Sequence, residues 1–189
     1  MIIGIDLDGV VFDTEDYYRT YANLYDSFVI KNGLFDKSEM SVFARHNWTK
    51  EQANDFYEKY TQIVLESAPI KPGAKFVLNE LKKQGHTLIC ITLRGYYRQC
   101  EIDITENRLK DENIILDKII YSKENKLDAC KENNISLMIE DSPSNVELLC
   151  NNNIKCLHMA GAGLKKVENQ NCTTVQNWAQ ILDYISKIK

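Results

Sequence analysis

Five short apolar runs rich in β-branched residues recur along this chain, at 2–6, 87–92, 118–121, 136–140 and 154–158. Each is nearly continuous in its hydrophobicity. That is the pattern of strands covered on both faces in a parallel sheet, where a half-solvated strand would alternate. Stretches with helical spacing separate them. One opens after Pro72-Gly73, turns Phe76, Val77 and Leu81 inward, and stops at Gly85. Others span about 99–113 and 124–133. A fourth begins at Ser142-Pro143, a cap residue followed by proline in the first turn. The last covers 178–187, with Ile181, Leu182 and Ile185 on one face. Strand and helix in alternation predict an α/β fold, a doubly wound (Rossmann-like) parallel sheet.

Residues 14–71 break the alternation. They carry Tyr17, Tyr18, Tyr21, Tyr25, Phe28, Phe43, Trp48, Phe56, Tyr57 and Tyr60, mostly at helical spacing, and no clear strand. A crossover helix alone would be far shorter. The expectation is a core of 1–13 and 72–189 with an all-helical insertion of three or four helices at 14–71. Tyr17, Tyr21, Tyr25 and Phe28 fit one stripe facing neighbouring helices. Residues 159–174, with Gly161 and Gly163, read as loop.

In open α/β sheets, ligands bind beyond the carboxyl ends of the strands. The first run ends in Asp6-Leu7-Asp8-Gly9, the second in Thr92-Leu93-Arg94-Gly95 and the fourth in Glu140-Asp141-Ser142. Lys126 lies near a helix start just before the fourth. Four acids on one edge would repel, whereas Mg²⁺ makes of them a hard oxygen site. Thr92, Arg94 and Lys126 would then serve a phosphate beside the metal.

The ordered set resembles the haloacid dehalogenase-like superfamily of phosphotransferases. Asp6, Asp8, Gly9 and Val10 match its DxDG motif, and "LICITLR" matches its second motif at Thr92. Lys126 is the best match to its lysine, with Lys123 the competitor. "MIEDSPSN" matches its acidic pair at Glu140 and Asp141. Residues 14–71 match its helical cap. Within the superfamily, "TLR" and "EDSPSN" look most like the 5′-nucleotidase and deoxyribonucleotidase branch.

The resemblance implies a Mg²⁺-dependent phosphomonoester hydrolase. Asp6 would be nucleophile and metal ligand, passing through an aspartyl-phosphate. Asp8 would be acid and base, its carbonyl also reaching the metal. Thr92 and Lys126 would hold phosphate oxygens. Arg94 would contact phosphate or substrate, or stay a solvated charge. Asp141 would ligate the metal, and Glu140 would be a second ligand or a partner of coordinated water. Asn145 would orient the acidic loop or simply sit in its helix. The implied substrate is a small phosphate ester, a nucleoside 5′-monophosphate in the favoured reading. The competing readings are a sugar-phosphate phosphatase or a phosphomutase like β-phosphoglucomutase, and a non-catalytic phosphate-ligand-binding protein.

A net charge of −4 over 189 residues provides no basic field for a nucleic-acid polymer or a membrane surface. The six cysteines are scattered without CxxC or Cys/His spacing, as in a cytoplasmic protein with reduced thiols. His46, His86 and His158 form no ligand or triad pattern.

Overall fold

A computed structural model describes residues 1–161 and 165–188. Its sheet contains β1 (Ile2–Ile5), β2 (Thr87–Ile91), β3 (Lys118–Ile120), β4 (Leu137–Glu140), β5 (Lys155–Met159) and β6 (Cys172–Val175). All neighbours are parallel, in the order β3-β2-β1-β4-β5-β6. The chain builds outward from β1 to β3, then crosses back to lay β4 on the other side of β1. The crevice between β1 and β4 is therefore the topological switch point.

Helices cover both faces, as the apolar strands require. On one face Ile3, Ile5, Leu88 and Ile139 pack with Leu78 and Leu81 of α4 (Ala74–Lys83) and with Trp178, Ile181 and Ile185 of α8 (Trp178–Lys187). On the other, Ile89, Ile91 and Met138 meet Ala129 of α6 (Lys126–Glu132) and Val146 and Leu149 of α7 (Pro143–Asn151). A buried indole needs an acceptor, and Trp178 Nε1 donates to the Val10 carbonyl at 2.9 Å. α5 (Cys100–Asp111) lies between β2 and β3 in the chain.

Between β1 and α4 the chain forms α1 (Thr14–Tyr25), a π-helical turn (Asp26–Ile30), the short α2 (Val42–His46) and the long α3 (Lys50–Ser67). α3 starts with a capping box, Thr49 and Gln52 each bonding the other's backbone N–H. Tyr25, Trp48 and Phe56 form the buried centre of an aromatic cluster, edged by Tyr18, Tyr21, Tyr57 and Tyr60. The two chain passages joining this unit to the sheet lie side by side. Asp13 N–H donates to the Pro69 carbonyl, and Lys71 N–H to the Val11 carbonyl, both at 2.8 Å. An ion pair from Lys71 to Asp13 at 2.7 Å ties them further.

Three sequence expectations change. Phe28 is 77% exposed, because the π turn winds wider than an α-helix and rotates it off the stripe that buries Tyr25. Phe76 is 68% exposed, since α4 buries Ala74, Val77, Leu78 and Leu81 and leaves Phe76 on the opposite side. Residues 172–174, expected in a loop, begin the edge strand β6, whose residues other than Val175 are half-buried and so give no continuous apolar run. The expectation at Gly163 lies outside the described residues. All six cysteines are free thiols. Among the described residues no helix is long and apolar enough to cross a membrane.

Candidate active site

Asp6 extends β1, its N–H donating to the Ile139 carbonyl of β4 at 3.0 Å. Thr92 extends β2 in the same way, donating to the Ile120 carbonyl. Glu140 and Asp141 finish β4. Parallel strands in register thus deliver these groups to one sheet edge, over the β1/β4 crevice. Asp6, Glu140 and Asp141 are all buried, and one carboxylate oxygen of each lies within 4.8 Å of the others.

Lys126 sits in the first turn of α6, after Asn125 has capped that helix through the Leu127 N–H. Its ammonium is buried, 2.8 Å from Asp6 Oδ1 and 2.7 Å from Glu140 Oε2. Both acids hold its pKa well above the usual lysine value despite burial, which acts the other way. Lys123 stays half-buried in the turn before, its backbone N–H donating to the Thr92 carbonyl. Glu140 Oε1 accepts from the Ser142 N–H at 3.1 Å and from Asn145 Nδ2 at 3.3 Å. Both oxygens of Glu140 are therefore engaged, and Asn145 orients the acidic loop through it.

The carboxylates are crowded. Burial pushes Asp6 up to about 7, helped by the negative charges of Glu140 and Asp8 and opposed by Lys126. Asp141 is raised well above the carboxylate range, by burial first and then by Glu15, Glu140 and Asp6. Gly9 makes the crowding possible. Its φ is +71°, and a Cβ there would stand 1.8 Å from Asp141 Oδ2.

Asp8 belongs to a different pair. Arg94 Nε and Nη2 donate to its two oxygens at 2.9 and 2.7 Å. Burial alone would raise Asp8, but the Arg94 charge and its bonds more than offset that and hold it below the ordinary value. Arg94 is itself buried, and Nη1 donates to Thr105 at 2.9 Å. In this structure Arg94 grips Asp8, and its burial excludes the alternative of a solvated charge.

Three residues escaped the sequence reading. Glu15, one residue into α1, packs its Cγ beside Gly9 and Asp141, and burial pushes it up to about 7 against the pull of Arg19. Tyr18, one turn on, is pushed upward by burial and then by the Asp8 charge. His158 on β5 is fully buried with Nε2 3.1 Å from the Asp141 carbonyl, a contact in which the imidazole donates. Glu15 and Tyr18 reach the site only through the path of the chain after β1. The sole signal for His158 was its place at the end of a strand.

Three buried carboxylates face one ammonium, a set lacking positive charge. The donors are hard oxygens without thiol or imidazole, which suits Mg²⁺. Asp141 is the freest donor, since Asp6 shares Lys126 and Glu140 is bonded at both oxygens.

No family model matches the chain. A Bacillus subtilis protein named "Putative nucleotidase YqfW" is 28% identical over 99% of this chain and 94% of its own length. A Clostridium acetobutylicum protein named as a nucleotidase is 26% identical over 98% and 94%. Among solved structures, a haloacid dehalogenase-superfamily hydrolase from Ehrlichia chaffeensis superimposes with a TM-score of 0.55 at 18% identity, over 99% of this chain and 96% of that one. The chain has the haloacid dehalogenase-like fold. Within this fold the four motif positions, Asp6, Thr92, Lys126 and the Glu140-Asp141 pair, meet at one sheet edge.

Proposed function

We propose that the protein is a phosphomonoester hydrolase with Asp6 as nucleophile, acting on nucleoside 5′-monophosphates. The observation that carries the reading is the buried cluster of Asp6, Glu140 and Asp141 bridged by Lys126 at the sheet's switch point. Buried like charges are costly unless a function needs them. The names of two relatives matched along nearly their whole length favour a nucleotide over other esters.

In this mechanism Mg²⁺, held by Asp6, Asp141 and the Asp8 carbonyl with Glu140 beside it, would offset the repulsion between an anionic nucleophile and a phosphate dianion. Asp6 attacks phosphorus as the ester P–O bond breaks, giving an aspartyl-phosphate. Asp8, kept ionised by Arg94 while the site is empty, takes up a proton as the ester's dianion enters beside it and donates that proton to the departing oxygen. It then takes one from the water that cleaves the phosphoenzyme. The Thr92 hydroxyl and the Lys126 ammonium hold phosphate oxygens as their charge redistributes. α1 brings Glu15 and Tyr18 beside the acids, and the helical unit it opens would contact the rest of the ester.

Steady-state kinetics on nucleoside monophosphates, hexose phosphates and phosphoglycolate, with Mg²⁺ and with chelator, test the proposal. Nucleotides are expected to show the highest kcat/KM, with turnover lost on chelation. A protein that hydrolyses none of these esters would end the phosphatase reading. A clear win for a hexose phosphate would end only the nucleotide assignment.

A further inference from the structure

Arg94 has a use that the motif reading does not supply. Its guanidinium meets Asp8 edge to edge, with Nε and Nη2 each bonded to a separate carboxylate oxygen. A two-point contact of this kind fixes the plane of a carboxylate as well as its position. The third nitrogen is anchored too. Nη1 donates to Thr105 Oγ1, which donates in turn to the Glu101 carbonyl at 2.6 Å within α5. The guanidinium carbon also stands 5.1 Å from the centre of the Phe12 ring.

The backbone of the same residue is tied to the other half of the site. Its N–H donates to Thr92 Oγ1 at 3.2 Å, and its carbonyl accepts from the Ser122 N–H at 3.0 Å. Arg94 therefore locks the proposed acid to the proposed phosphate-binding hydroxyl through one residue. Its side chain is 3% exposed, whereas that of Asp8 is 28% exposed. Asp8 can be reached from outside the pair, and Arg94 is shielded behind it.

We propose that Arg94 is a positioning residue, which sets the orientation of the Asp8 carboxylate relative to Asp6 and Thr92 and touches no part of the substrate. The proposal rests on the phosphatase reading of the site. It assigns to Arg94 a part in proton transfer and none in phosphate affinity.

The test compares wild type with Arg94→Lys, Thr105→Val, Asp8→Asn and the double variant Asp8→Asn/Arg94→Lys, with inorganic phosphate as a competitive inhibitor. Lysine keeps the charge and loses the two-point grip. Its kcat is expected to fall about 10- to 100-fold, the scale of a misplaced catalytic group. KM and the phosphate inhibition constant should stay within about twofold, because uniform binding is untouched. Thr105→Val, which keeps both Arg94 and Asp8, should give a smaller loss of the same kind. In the Asp8→Asn background, Arg94→Lys should cost nothing further. Weaker phosphate inhibition in Arg94→Lys, or a full loss persisting without the Asp8 carboxylate, would overturn the proposal and make Arg94 a phosphate contact. A wild type inactive on every ester would overturn the reading of the site itself, and the positioning role with it. Should Arg94→Lys not fold, Thr105→Val carries the same comparison, and an unchanged kcat there would count against the grip.

Discussion

Gly9→Ala places a methyl group where the structure has a carboxylate. The new Cβ would lie 1.8 Å from Asp141 Oδ2 and 2.5 Å from its Cγ, while ordinary contact begins at 3.4 Å. Asp141 must therefore retreat by about 1.6 Å, the difference between 3.4 and 1.8 Å. Alanine at φ +71° adds about 1–2 kcal/mol of backbone strain. Two effects work against that cost. Separating Asp141 from Asp6 and Glu140 relieves repulsion, and alanine restricts the unfolded chain by about 0.4–1 kcal/mol. The net destabilisation is about 1 kcal/mol, or about 2–4 °C in Tm for a chain of this size. Function should suffer far more, because a catalytic group displaced by more than 1 Å costs about 100-fold. Thermal unfolding in chelator, calorimetric titration with Mg²⁺ and steady-state kinetics give the three numbers. The expected outcome is a small Tm change with weakened Mg²⁺ binding and a collapse of kcat/KM. Unchanged Mg²⁺ affinity and kcat within about threefold of wild type would refute the argument from close approach.

Asp6→Asn should remain folded and bind substrate yet yield no phosphoenzyme, as acid-quench trapping with labelled substrate would reveal; near-normal phosphate release would remove Asp6 as nucleophile. Lys126→Met leaves Asp6 and Glu140 buried without their cation, and should cost about 3–5 kcal/mol near pH 8, read from urea unfolding, with part recovered on adding Mg²⁺. A urea midpoint equal to wild type would contradict the buried bridge. Stability in chelator should fall as pH rises from about 4 to 7. Asp6 and Glu15 go from ordinary values of 3.8 and 4.5 to about 7 on folding, and Asp141 is also raised. In that window the folded state binds more protons than the unfolded one, so their contribution is complete below about pH 4 and lost by about pH 7. Asp8 is lowered, but its effect falls below about pH 4, outside this window; His158, which burial lowers from 6.5, acts in the opposite sense within it, one group against three. A Tm that climbs across this range in chelator would be inconsistent with the crowding of Asp6, Glu15 and Asp141.

Strand ends could be read in the sequence because parallel pairing in register converts a position along the chain into a position on the sheet edge. That is why Asp6, Thr92, Glu140 and Asp141 could be grouped before any geometry was known, and why the α/β alternation predicted β1 to β5 within a residue or two. Contacts made across elements were opaque. Nothing around Arg94 in the chain signals a partner 86 residues away, and a guanidinium near a phosphate motif reads as a phosphate ligand by composition alone. Glu15 looks like any acidic residue in a first helical turn. The choice between Lys126 and Lys123 needed the helix start at Lys126, which brings that ammonium to Asp6. Phe28 misled because a π turn leaves no mark in a hydrophobic pattern. β6 was missed because an edge strand with polar threonines carries little of the apolar signal on which strand reading depends.

The paired passages at 11–13 and 69–71 make residues 14–68 an excursion that leaves and rejoins the sheet at nearly one point. A closed excursion of this kind behaves topologically like a surface loop, whatever its size. Its exchange for another helical unit, or for a short turn, would ask nothing of strand order or register. On the proposed function, recognition of the ester and cleavage of its phosphate would then be separable traits. Arg108 shows where they remain joined: from α5 it donates to the Leu65, Glu66 and Ala68 carbonyls at the end of α3 while its guanidinium lies 5.0 Å from the Phe12 ring centre. A transplanted unit that leaves those carbonyls in place would keep this seating on the sheet, and one that does not would lose the three Arg108 bonds.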